Sequence, residues 1–176
     1  LEFGQMFRRF GAEVTIIDLG EHILQREDAD VAEALQDILR EDGIRILNGA
    51  RMMSVEQASD GTITAHLEGD DVPSTLQGSH FLVATGRRPN THDLQPDAAG
   101  VETDERGYVQ ANDRLETTAD GVYAIGDVTG GPAFTHVSYD DYRVLRDNWF
   151  DGAQKTTEDR ILSYTLFTDP QLGRVG

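Results

Sequence analysis

LEFGQMFRRFGAEVTIID, residues 1–18, reads as a helix, a glycine stop and a buried strand that ends on an acid. Leu1, Phe3, Met6, Phe7 and Phe10 recur at close to helical spacing. Gly11 then stands where a glycine follows a helix C-terminus. Glu13 to Asp18 is a short, β-branched run that reads as a strand wanting a parallel neighbour. The helix has no strand in front of it, so the expected element is a βαβ unit that lacks its first strand.

Working outward, Asp30 to Asp42 carries Val31, Ala34, Leu35, Ile38 and Leu39 on one face, an amphipathic helix closed by Gly43. Ile44 to Leu47 reads as a second short strand. Met52–Ala58 and Thr62–Leu67 flank Ser59-Asp60-Gly61, and the Asp-Gly pair signals a hairpin. His80 to Thr85 reads as a strand, and Gly86-Arg87-Arg88-Pro89-Asn90 forces a turn or loop after it. Residues 91–121 are acidic and irregular. Val122 to Ile125 reads as a strand, Phe134 to Phe150 as a helix and Ile161 to Phe167 as a final strand. This order predicts an α/β protein with a largely parallel sheet.

Bulk composition narrows the functions. The formal charge is -17, from 15 basic against 32 acidic side chains, which argues against a nucleic-acid or anionic-membrane surface. Lys155 is the only lysine. The acidity reads as a solvated surface, with adaptation to high salt as the alternative. No apolar run approaches the roughly 20 residues that span a bilayer, and the first residues lack the order of a secretory leader. The expected location is cytoplasmic, away from membranes. The absence of cysteine excludes disulfides, thiolate metal sites and cysteine nucleophiles within this chain. The histidines show no metal-ligand spacing, so no metal site is expected.

Two acids end apolar strands. Asp18 either caps a turn or accepts hydrogen bonds from the ribose hydroxyls of a dinucleotide, where it would repel a 2'-phosphate. Asp127, in VYAIGDVTGG (122–131), either caps a strand–loop–helix turn or holds a polyol or ribose. A carboxylate accepts two hydroxyls at once, and Gly126 lets a ligand approach the backbone. The helix beginning near Phe134 would favour negative charge at its N-terminus. Arg87 and Arg88 are either phosphate contacts or solvated loop residues. His136 reads as packed rather than as a proton donor.

Taken together, LEFGQMFRRFGAEVTIID, ATGRRPN, TTADGVYAIGDVTGGPAFTH and YTLFTDPQLGRVG resemble the pyridine nucleotide-disulfide oxidoreductases. These are the class I flavoprotein disulfide reductases, and the likeness is to their mercuric-reductase-like and dihydrolipoamide-dehydrogenase-like branch. The stretches fall in family order and cover nearly the whole chain. The resemblance implies a partial Rossmann-like NAD-binding domain, a three-layer arrangement of parallel sheet plus β-meander, followed by the returning segment of an FAD-binding domain. It places the NAD domain at 1–79, without its first strand and glycine fingerprint. The FAD segment falls at 80–152 and the start of a dimerisation domain at 153–176.

Residue by residue, the resemblance implies that Glu2 lies near the nicotinamide and that Asp18 binds the adenosine ribose and favours NADH over NADPH. It sets Gly86 and Arg87 at the NAD site. Gly126 and Asp127 then belong to the ribityl chain of FAD, and Ala133, Phe134 and Thr135 pass the flavin ring. The family's redox cysteine pair and acid/base histidine have no counterpart in these residues, so no catalytic residue is assigned. The expected reading is an internal fragment, inactive alone, of an FAD-dependent NAD(P)H oxidoreductase. Its parent would be a homodimer that reduces a small-molecule disulfide or a metal ion. The alternatives are a flavin NADH oxidase or ferredoxin-type reductase without a redox disulfide, and a non-catalytic nucleotide-binding module.

Overall fold

Helix α1 runs Glu2–Arg9 in the computed structural model of the chain, which describes residues 1–158 and 160–176. Its end is the one the glycine announces. Gly11, at φ 97°, donates its N–H to the Arg8 carbonyl at 2.9 Å, and Ala12 donates to Phe7 at 3.1 Å. Those carbonyls would otherwise be left without partners at the helix terminus. Helix α2, Ala29–Glu41, ends the same way: Gly43 donates to Arg40 and Ile44 to Leu39. Its buried face runs through Ala32, Leu35, Gln36 and Leu39, while Ala34, expected on that face, is exposed.

Strands β1 (Thr15–Ile17) and β2 (Arg45–Leu47) pair in parallel, with Ile16 opposite Ile46 and Ile17 opposite Leu47. Side chains on a strand alternate between faces. Ile16 and Ile46 accordingly pack with Ile23, Leu35, Leu39 and Ile44. Ile17 and Leu47 turn the other way, onto Ala50, Met52, Leu67 and Leu76. That second face is covered by an antiparallel meander of β3 (Arg51–Gln57), β4 (Ile63–Glu68) and β5 (Thr75–Gly78). Helix, parallel pair and meander are therefore stacked as three layers. The β3–β4 turn is the expected one: Ala58 donates to the Thr62 carbonyl at 2.8 Å, and Thr62 N–H donates to Asp60 Oδ1 at 2.9 Å.

Three expectations need correction. Parallel pairing does not dominate: β1 and β2 pair in parallel, but three of the strands are consumed by the antiparallel meander. Residues 80–85 form no strand. The ladder partner of β4 is instead β5, whose Leu76 reaches the core, whereas Phe81, Leu82 and Val83 are 41%, 62% and 67% exposed. Val122–Ile125 is extended but carries a single bridge, Tyr123 to Glu116, in place of a ladder.

The chain divides into two units, Leu1–Ala84 with Leu166–Leu172 and Thr85–Thr165 with Gly173–Gly176. The second is built from turns more than from strands. It has 3-10 turns at His92–Leu94, Pro96–Ala99 and Gly126–Thr129, and isolated bridges between Thr103 and Val109 and between Ala111 and Thr117. Helix α3 (Thr135–Phe150) supplies Val144 and Leu145 to a cluster with Leu115. Tyr123 packs against that cluster and meets the Trp149 ring edge-on at 4.9 Å. Strands β6 (Ser163–Leu166) and β7 (Leu172–Val175) pair with each other. Residue 159, within the segment expected to open a dimerisation domain, lies outside the described residues. Among the described residues no helix is long and apolar enough to cross a membrane.

Two tests address this packing. Leu39 is fully buried between α2 and the parallel pair, so Leu39→Ala should cost about 2–5 kcal/mol, read as a lower urea midpoint. Lys155 donates to Asp147 near the end of α3, and this bond, above all, holds the Asp147 carboxyl below its ordinary range. A depressed carboxylate stabilises the fold above its unfolded-state pKa and loses that contribution as pH falls through the folded-state value. Lys155→Ala should therefore lower the midpoint at neutral pH, and the gap should close below the ordinary aspartate value of 3.8.

Candidate functional site

In the second unit the chain arrives extended at Ile125 (ψ 154°) and turns at once on Gly126 (φ 70°) into the 3-10 turn that carries Asp127. A side chain at 126 is excluded twice. The left-handed φ disfavours it, and a Cβ would stand 2.7 Å from Ser138 Oγ of α3. Thr129 Oγ1 donates to the Gly126 carbonyl at 2.9 Å, and Gly130 N–H donates to the Asp127 carbonyl at 3.2 Å. Turn and helix start are thus packed together, and the position of Asp127 follows from that packing.

The Asp127 carboxylate does not serve as a cap. Its Oδ2 accepts a hydrogen bond from Arg87 Nη1 at 2.9 Å, and the two side chains are 53% and 69% exposed. A pair so exposed contributes about 0–1 kcal/mol to stability. Its consequence is positional: an acid on the Gly126–Thr129 turn and a guanidinium from the 86–90 loop face solvent together. Tyr108 braces the arginine by donating its hydroxyl to the Arg87 carbonyl at 3.3 Å. Gly86 lies exposed just before Arg87.

Ala133, Phe134 and Thr135 lead into α3, with Phe134 in the N-cap position accepting hydrogen bonds from Val137 and Ser138 N–H at 3.1 Å each. The Phe134 ring stacks between His136 and Tyr164, each 5.3 Å away between centroids. His136 stacks on Phe134 but is exposed, so the expectation of a packed residue is not met. The arrangement brings Arg87, Gly126 and Asp127 together beside the start of α3.

Asp18 and Glu2 belong to the first unit. Asp18 Oδ1 accepts hydrogen bonds from Gly20 N–H at 2.8 Å and from Gln25 Nε2 at 3.1 Å. Its capping role is thus realised, on one carboxylate oxygen of a half-buried side chain. Glu2 Oε1 accepts the Phe167 N–H at 2.7 Å, so this carboxylate holds the chain entering the 167–169 segment. Buried Gln5 grips the same segment through the Asp169 N–H and carbonyl, at 2.8 and 2.9 Å. Among the described residues no group of histidines and acids is placed to hold a metal ion.

Sequence reasoning missed the groups that brace Asp127. Asp141 accepts the Gly126 N–H at 2.7 Å, and Arg160 pairs with Asp140 and Asp141. These residues are 15 to 20 positions from their partners, and no local motif links them.

The model of the family described as pyridine nucleotide-disulphide oxidoreductase matches residues 1–141. A curated Escherichia coli protein, "Probable pyridine nucleotide-disulfide oxidoreductase RclA", is 39% identical over all of this chain and 39% of its own length. A Staphylococcus aureus mercuric reductase is 34% identical over 99% of the chain and 32% of its own length. The solved structure of the HOCl-induced flavoprotein disulfide reductase RclA from Escherichia coli superposes with a TM-score of 0.90 at 38% identity. That match covers 99% of this chain and 39% of the solved one. The chain thus spans about a third to two fifths of the length of these two relatives. The match takes in both the three-layer β1–β2 core and the Gly126–Asp127 turn, and the chain belongs to the pyridine nucleotide-disulphide oxidoreductase family.

Proposed function

We propose that this chain forms the nucleotide-handling part of an FAD-dependent oxidoreductase that takes electrons from NADH. The observation that carries the proposal is Asp127: an exposed carboxylate, free of any capping duty, on a turn that only glycine can open. The donor set fits a flavin nucleotide. Asp127 Oδ1 has no protein partner among the described residues and can accept ribityl hydroxyls, while Arg87 beside it, expected from the resemblance at the NAD site, suits phosphate oxygens. Bound FAD would supply the hydride-accepting and electron-passing chemistry. Gly126 admits the ligand to the backbone, and Ala133, Phe134 and Thr135 line the approach to the flavin ring. Asp18 holds the adenosine ribose of NADH and disfavours a 2'-phosphate by like charge. Glu2, in the same unit as Asp18, belongs to the nicotinamide nucleotide's surroundings.

On this reading residues 1–79 serve NAD, 80–152 serve FAD, and 153–176 open an interface domain of a cytoplasmic homodimer. The electron acceptor is a small-molecule disulfide or a metal ion, the latter in keeping with the mercuric reductase among the relatives.

Two substitutions in the full-length protein test the assignments. Asp127→Ala should weaken FAD binding about 10- to 100-fold, from loss of hydrogen bonds to a charged acceptor worth about 1.5–3 kcal/mol. Flavin fluorescence titration measures it, and a colourless wild type that takes up no FAD would end the proposal. Asp18→Ala should raise KM for NADH and narrow the preference over NADPH, with kcat little changed. Steady-state kinetics with both nucleotides read this, and an unaltered preference removes Asp18 from the site. NADH oxidation that reduces only oxygen would assign the protein to the flavin oxidases instead.

A further inference from the structure

Asp141 sits in the middle of α3 as a carboxylate only 3% exposed. A buried charge is costly unless it is paired and hydrogen-bonded. Both conditions are met. Oδ2 accepts the Gly126 N–H at 2.7 Å, and Oδ1 pairs with Arg160 Nη2. Arg160 is itself largely buried, 16% exposed, and its Nε donates to Asp140 Oδ2 at 2.8 Å. The acid is therefore locked from behind by a guanidinium and presents its remaining oxygen to one backbone amide.

That amide belongs to the residue directly before Asp127. Gly126 is pressed against Ser138 and takes the left-handed φ that starts the turn. Holding this N–H fixes the plane of the Ile125–Gly126 peptide, through which the chain enters the turn that carries Asp127. An amide-to-carboxylate bond is charge-assisted and stronger than a neutral one. Stability alone gives a weak account of this cluster, because a buried ion pair is often replaced by apolar residues at no loss.

We propose that Asp141 is a positioning residue: held by Arg160, it grips the Gly126 amide and thereby aims the Asp127 carboxylate at the flavin's ribityl chain. The proposal rests on the reading of Asp127 as a flavin ligand. Asp141 makes no contact with the cofactor in this role and acts only through the turn.

The test compares Asp141→Leu, Asp141→Asn and Arg160→Gln in the full-length protein. FAD affinity is read by flavin fluorescence, and Gly126 amide exchange by NMR on the FAD-free samples. Leucine removes the acceptor and should weaken FAD binding about tenfold or more while speeding Gly126 exchange, about the loss of one charge-assisted bond. Asparagine keeps an oxygen for the amide and should hold FAD affinity within about threefold of wild type and leave exchange slow. Arg160→Gln leaves the acid less firmly held, and should fall between the two. A folded leucine variant with unchanged FAD affinity overturns the proposal, as does an asparagine variant as weak as leucine. If the leucine variant does not fold, Arg160→Gln decides: weaker FAD binding with faster exchange supports the role, and no change in either overturns it. A wild type that takes up no FAD overturns the flavin reading and this role together. Uptake by wild type with no effect of these substitutions overturns this role alone.

Discussion

The first unit depends on burying both faces of a two-stranded parallel pair. β1 and β2 contribute three residues each, and every apolar side chain on them is in use. Ile16 and Ile46 face the α2 side while Ile17 and Leu47 face the meander. Because side-chain direction alternates along a strand, a slip of one residue would send each set to the wrong layer. The two glycine-terminated helices and the Asp60-Gly61 turn are arranged around that register. Asp18 occupies the next position after β1, where the strand has run out of core, and its N–H still bonds to the Leu47 carbonyl. An acid thus emerges at a fixed place from an apolar layer.

The second unit solves the same problem with fewer ladders. Its backbone is held by turns, isolated bridges and side chains that reach backbone groups, such as Thr91 to the Gly107 carbonyl at 2.6 Å. A site built on such a scaffold needs local bracing, and it has it. Gly126 packs on Ser138, its amide is held by Asp141, and Arg87 is held by Tyr108. The exposed Arg87–Asp127 pair adds little to stability, so its geometry is available to serve a ligand.

Much of this was legible from local chemistry. The helix ends follow from Gly11 and Gly43, because a left-handed residue there lets the chain satisfy two terminal carbonyls. The hairpin follows from Asp60 and Gly61, and the two strand-end acids are visible as charges after apolar runs. The reading failed where pairing decides. Phe81-Leu82-Val83 is the more apolar run, yet Thr75–Gly78 becomes the strand because it lies beside β4 and delivers Leu76 to the core. Hydropathy at 80–85 had no means of reporting whether a ladder partner was there.

By itself, then, the sequence determined the elements whose hydrogen bonds close within a few residues: helices, their stops and one turn. It also determined the acids that had to surface at strand ends, since a carboxylate cannot stay in an apolar layer unpaired. Tertiary structure decided which extended segments are strands, because a ladder needs a second chain segment alongside. It also decided that Asp18 serves its own turn while Asp127 turns outward to Arg87. The partner that separates those two outcomes lies two residues from Asp18 but forty from Asp127, and only the fold can bring so distant a group into contact.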